Sequence, residues 1–360
     1  MTATRTCLLA LMCCSLLPSQ PPKPVVSPEV HPDRTVTFRV RAPKATEVTM
    51  NMDWSGDHPA LKKDSEGVWS VTLGPLEPSI YIYSFNIDGV AVPDPINPRV
   101  KLRAQTSASL LEVPSGKSEV WEPRDVPHGV VEINWQKSKV IDGETRWYWV
   151  YTPPDYDKSN KRYPVLYLLH GNNDTPAGWT MVGNANFVLD NLLAEKKMVP
   201  MIVVMPYGHA APYGARNNSE MFEDYLLKDI IPAIEARYRV APGRQNRALA
   251  GLSMGGGQAL SIGFGHLDLF SAIGAFSAAV PRDFETQFAE VLKDPKATND
   301  KLKLVWFACG RDDSLFGRAE QLSATLRKHG IKHTFVPTPG VHNFTVWRQY
   351  LAEMAPLLFR

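Results

Sequence analysis

Ser253 lies in Gly251-Leu252-Ser253-Met254-Gly255-Gly256-Gly257, between the apolar run Arg247-Ala248-Leu249-Ala250 and a helix-forming stretch that continues through Phe264. On a sharp strand-to-helix turn, small flanking residues let a serine take strained backbone angles and project its hydroxyl. The helix N-terminus behind it favours negative charge that develops nearby. Such a turn needs a strand ending at the edge of a sheet and a helix returning across its face. That requirement constrains the fold more than any other feature of the chain.

The surrounding pattern agrees. Pro164–His170 and Met201–Met205 are continuous apolar runs, as strands of a sheet covered on both faces must be. Arg247–Leu252 and Leu304–Ala308 complete the set of predicted strands. Phe222, Leu226, Ile230, Ile234 and Tyr238 recur at spacing four on a helix, a buried stripe that Pro232 should interrupt or restart. Strand–helix alternation predicts an α/β, doubly wound, mostly parallel sheet for residues 128–360.

Residues 25–113 have a different period. Val36, Phe38, Val40 and Ala42 alternate with polar neighbours; Tyr81, Tyr83, Phe85 and Ile87 share one face. Period-two alternation bounded by Gly-Pro and Asp-Gly turns predicts a small all-β, immunoglobulin-like sandwich. Residues 114–127, rich in Pro, Gly and charge, read as a linker.

The ends and the composition bound the partners. Residues 1–20 carry one arginine, an apolar run from Cys7 to Leu17 and small polar residues after it, the pattern of a signal peptide. The run is too short to span a bilayer, so a secreted or periplasmic protein with no membrane span is expected. Cys7, Cys13 and Cys14 lie in this leader, which leaves Cys309 alone and excludes cysteine-cluster metal sites. Lys and Arg total 39 against 37 Asp and Glu, a net charge of +2 without basic blocks, so nucleic acid is not an expected partner.

A serine hydroxyl needs a base and an acid that orients the base. In this architecture they follow in the order Ser, Asp or Glu, His, at the carboxyl ends of later strands. His342, in Pro339-Gly340-Val341-His342, occupies a loop after the strand predicted at Lys332–Val336 and is the candidate base. The acid falls in Cys309-Gly310-Arg311-Asp312-Asp313-Ser314, where periodicity leaves Asp312 and Asp313 as alternatives. Oxyanion donors are expected at the N–H of Met254 and in the loop His170-Gly171-Asn172-Asn173. Trp179 is a candidate surface for stacking on an aromatic or sugar group, against the alternative that it packs in the core. No metal or organic cofactor is required.

These motifs carry a resemblance. Val150-Tyr151-Thr152-Pro153-Pro154, Leu168-Leu169-His170-Gly171, Ala250 through Gly257, Ala308-Cys309-Gly310 and His342 through Arg348 are similar to carbohydrate esterase family one and the wider esterase D and enterochelin-esterase group of α/β-hydrolases. The resemblance implies an α/β-hydrolase fold and selects Asp313 over Asp312, three residues after the Cys-Gly glycine. It places the second oxyanion donor at Asn172. The first half resembles an early-set sandwich of the glycogen-binding, family forty-eight type, through Gly67-Val68-Trp69, Tyr81 through Phe85, Asp88-Gly89 and Asp94-Pro95. Glycan contact through Trp54 or Trp69 would follow only if those rings left the core.

The resemblance implies a serine esterase releasing feruloyl or related acyl groups from plant cell-wall polysaccharide. Alternatives are an acetylxylan esterase, a siderophore esterase, and a glycan-binding protein with a relict esterase domain. The sandwich is expected either to hold polymer or to roof the cleft, without supplying a member of the triad.

Overall fold

The computed structural model describes residues 24–116 and 119–360, so the leader expected at residues 1–20 lies outside the described part. The first strands are Glu29–Val30 (β1), Val36–Arg41 (β2), Val48–Met52 (β3), Lys62–Lys63 (β4), Val68–Leu73 (β5), Ser79–Ile87 (β6), Val90–Val92 (β7), Val100–Lys101 (β8) and Ala108–Val113 (β9). They pair as two antiparallel sheets, β1-β2-β5-β4 and β3-β6-β9-β8, with β7 on β6. Val36, Phe38 and Val40 from one sheet meet Met50, Tyr81, Tyr83 and Phe85 from the other, as the alternation predicts. Trp69 is buried there, its indole N–H donating to the Ala42 carbonyl at 2.9 Å. Trp54 packs against Phe38 and Tyr81. Neither ring is an open platform for glycan.

β6 is covered on both sides. Its second face, Ile80 and Ile82, joins Ala108 and Leu110 in the core of the second half of the chain. The predicted linker is packed there as well. Trp121 is buried under the Arg348 guanidinium, 4.7 Å from the ring centroid. The Asn184 side chain donates to the Trp121 carbonyl at 3.0 Å, and Asn191 donates to Val120 and Glu122 at 2.8 and 2.9 Å. Proline and glycine stop regular secondary structure in this segment, but the aromatic ring between them still seeks a core.

The second half builds one sheet from Val130–Lys137 (β10), Thr145–Thr152 (β11), Val165–Leu169 (β12), Ile202–Pro206 (β13), Arg247–Leu252 (β14), Ala272–Phe276 (β15), Leu304–Gly310 (β16) and Thr334–Thr338 (β17). The order is β10-β11-β13-β12-β14-β15-β16-β17, antiparallel at β10, β11 and β13 and parallel onward from β13. The continuous apolar strands divide by alternation. Leu166, Leu168 and Val203 face one core, while Tyr167, Leu169 and Val204 face the other. The helical stripe from Phe222 to Tyr238 is buried throughout. It runs as Asn218–Tyr225, a π turn at Leu226–Ile230 and then Ile231–Arg237, with Pro232 in the first turn of the last piece. A missing N–H costs little at that position.

Candidate active site

β14 ends at Leu252, and the helix Met254–Gly265 begins directly after Ser253. Ser253 has φ 52° and ψ −116°, a strained combination for a residue with a side chain. Glycines make the turn possible. A Cβ on Gly251 would sit 2.5 Å from the Gly255 carbonyl, and one on Gly255 would sit 2.5 Å from the His170 carbonyl oxygen.

His342 follows β17 through Gly340, whose φ of 110° suits glycine. Its Nε2 lies 3.0 Å from Ser253 Oγ, and its Nδ1 lies 2.7 Å from Asp313 Oδ2. The Trp347 ring meets the imidazole edge to face, with centroids 4.9 Å apart, and limits its rotation. The Asp313 side chain is fully buried, whereas Asp312 is exposed and makes no contact with the imidazole in the hydrogen-bond network. Asp313 Oδ1 accepts the Leu315 N–H at 2.8 Å. Burial pushes the Asp313 carboxyl up, but hydrogen bonds from His342, the Leu315 N–H and the Ser277 hydroxyl outweigh it and hold the group below its ordinary value. An ionised Asp313 keeps the imidazole proton on Nδ1, which leaves Nε2 free to accept from Ser253.

The loop after β12 faces the serine. His170 is fully buried; its Nδ1–H donates to the Gly171 carbonyl and its Nε2 accepts the Gly208 N–H, both at 2.8 Å. Burial pushes its pKa down to about 4, so the ring is neutral and both bonds persist at neutral pH. A Cβ on Gly171 would lie 2.7 Å from Leu252 Cδ1 and 3.3 Å from Ser253 Cβ, so glycine lets the loop lie against the nucleophile. Asn172 lines the same cavity as Ser253, while its side chain donates to the Tyr213 hydroxyl at 3.4 Å. Among the described residues its backbone N–H has no protein acceptor. The Met254 N–H, at the first helical position, has none within the helix.

Trp179 does not form a stacking surface. It is fully buried, packs edge to face on Phe276 and Phe344, and donates its indole N–H to the Leu169 carbonyl at 3.0 Å. Its indole N–H has a backbone acceptor and its ring has core partners, so nothing is left for substrate.

The cavity at Ser253, about 310 Å³, also takes Asp53, Lys101 and Arg103 from the sandwich. Lys101 Nζ lies 2.6 Å from Asp174 Oδ1, with both side chains buried. The Ala104 and Gln105 N–H groups donate to the Asn173 carbonyl and side-chain oxygen at 3.4 and 3.2 Å. The sandwich therefore clamps the loop that carries Asn172. Burial raises the Asp53 pKa to about 6, against the Ile82 N–H and the charges of Lys101, Arg348 and Arg103. Sequence reasoning missed these residues. Each is a single polar side chain at the end of a short strand, with no spacing relation to the serine.

A serine on a strand–helix turn, hydrogen-bonded through histidine to aspartate on a mixed sheet, is the arrangement of an α/β-hydrolase. The family model described as "Putative esterase" matches residues 138–358. The chain belongs to that family. It is 32% identical over 347 residues to an endo-1,4-beta-xylanase/feruloyl esterase of Xylanibacter ruminicola, covering 92% of this chain and 46% of the relative. The chain thus spans about half the length of that curated relative. A ferulic acid esterase of Anaeromyces mucronatus, solved with ferulic acid, superposes with a TM-score of 0.59 at 25% identity, covering 66% of this chain and 93% of that one. The enterobactin esterase of Shigella flexneri shares the fold over 90% of this chain and 93% of its own, with a TM-score of 0.65 at 19% identity.

Proposed function

We propose that the protein is a serine esterase of carbohydrate esterase family one that releases feruloyl groups from plant cell-wall polysaccharide. The supporting observation is the unbroken relay Asp313–His342–Ser253 at 2.7 and 3.0 Å, joined to the similarity with a feruloyl esterase along 92% of the chain. Ser253 Oγ attacks the ester carbonyl while His342 Nε2 takes its proton, and the Asp313 carboxylate stabilises the resulting imidazolium. The Met254 and Asn172 N–H groups receive the oxyanion. The imidazolium proton passes to the departing alkoxide, leaving an acyl-Ser253. Water, deprotonated by the same histidine, then releases ferulate and restores the serine.

The early-set assignment of the sandwich and export through the leader pattern at residues 1–20 belong to this reading. A hydrolysis panel tests it: methyl ferulate, acetylated xylan, p-nitrophenyl acetate and a catecholate siderophore. The highest kcat/KM is expected on ferulate. Faster turnover of the siderophore or of acetylated xylan would overturn the acyl assignment.

A further inference from the structure

The sandwich contributes polar groups to the cavity that the reaction steps do not use. Lys101 is neutralised by Asp174. Arg103 differs: among the described residues its guanidinium has no hydrogen-bond or ion-pair partner, yet it lines the cavity with Ser253 and His342. Asp53 lines the same cavity. Its Oδ1 accepts the Ile82 N–H at 2.9 Å, and among the described residues Oδ2 has no hydrogen-bond partner. Both residues are held in place by their surroundings. Asp53 donates its own backbone N–H to the Ile82 carbonyl at 3.1 Å, and its carbonyl oxygen accepts from the Asn343 side chain at 3.4 Å. Arg103 stands between Lys101 and Ala104, which are both bonded to the loop after β12.

We propose that Asp53 and Arg103 form a subsite for the sugar hydroxyls of the ester's alcohol half, an inference that rests on the esterase reading above. A guanidinium offers only donors and a carboxylate only acceptors. A hydroxyl-rich ring both donates and accepts, so it satisfies the two together. An acyl chain or aromatic ring seated there would leave the Arg103 guanidinium and Asp53 Oδ2 without hydrogen-bond partners, and a second anion would face Asp53. The sandwich then reads the sugar while the hydrolase half performs the chemistry. It need not bind polymer on its outer face to do so.

The test compares methyl ferulate with a feruloylated xylan oligosaccharide, which carries the same acyl group on a sugar. Arg103→Gln and Asp53→Asn should each lower kcat/KM on the sugar ester by roughly tenfold more than on the methyl ester, chiefly through KM. Equal losses on the two esters would overturn the subsite. Wild-type protein provides a readout independent of any variant's folding. The deacylated oligosaccharide should inhibit methyl ferulate hydrolysis competitively, and absence of inhibition at saturating concentration counts against the subsite. A wild-type protein inactive on both esters would instead overturn the esterase reading beneath it.

Discussion

Replacing Asp313 by asparagine changes one oxygen of the relay for an amide nitrogen, and the structure says which one. Oδ1 accepts the Leu315 N–H at 2.8 Å, so the asparagine carbonyl keeps that position. The NH₂ group then faces His342 Nδ1, where Oδ2 stood at 2.7 Å. An amide donates there, so Nδ1 must become the acceptor and the ring proton moves to Nε2. That proton points at Ser253 Oγ, and the base can no longer accept. The expected loss in kcat is roughly 10⁴-fold, or about 5 kcal/mol of transition-state stabilisation. Asp312→Asn, at an exposed residue outside the relay, should stay within about threefold of wild type. Initial rates on methyl ferulate at one pH, with melting curves to check folding, measure both. Asp313→Asn within tenfold of wild type, or the reverse ranking, would refute the tautomer argument. The substitution also carries a stability signature. The Asp313 carboxyl is held below its ordinary value in the folded state, so its contribution is present above the unfolded pKa and lost as pH falls through the folded one. The asparagine variant should lose that part of the acid sensitivity.

Ser253→Ala should reduce turnover by roughly 10³-fold or more with little change in melting, because alanine fills the same space at the same backbone angles; substantial residual turnover would displace the serine. Lys101→Met leaves Asp174 buried without its cation and should cost about 3–5 kcal/mol in denaturant unfolding, partly restored by adding Asp174→Asn; a cost below about 1 kcal/mol would show that the clamp is not structural. His170 is neutral and buried, with its pKa lowered from 6.5 to about 4, so the unfolded chain binds the extra proton between those values. Stability should therefore fall as pH drops through that window, and His170→Gln should flatten the slope. A protein beginning at Glu122 lacks Ile80, Ile82, Ala108, Leu110 and Trp121 from the shared core, and should lose turnover even on methyl ferulate; full retention would make the sandwich a separate module.

The strands flanking the serine were legible because a strand covered on both faces must be apolar at every position. Arg247–Leu252 appears with the bounds its pattern predicts. β15 was not legible, because Ala272-Ile273-Gly274-Ala275-Phe276 is short and three of its five residues are too small to mark a period. Gly274 shows why they are small: a Cβ there would collide with the Met354 sulfur. β10 and β11 escaped for another reason. β10 is an edge strand with Val130, Ile133 and Trp135 exposed, so its burial gives no clean alternation.

The sequence by itself determined the chemistry that depends on local order: a glycine-bounded serine, a later aspartate pair and a histidine in a loop beyond them. Tertiary structure decided what depends on direction. Neighbouring side chains in one loop point different ways, and burial with three hydrogen bonds distinguishes Asp313 from exposed Asp312. Trp179 was claimed by the core, where its indole N–H donates to the end of β12. The contribution of the first half to the cavity was also a tertiary outcome. Asp53, Lys101 and Arg103 line the cavity at Ser253 because the Ile80 and Ile82 face of β6 packs into the hydrolase core. Sequence periodicity records which residues seek burial; which surface buries them is set by the contacts of the folded chain.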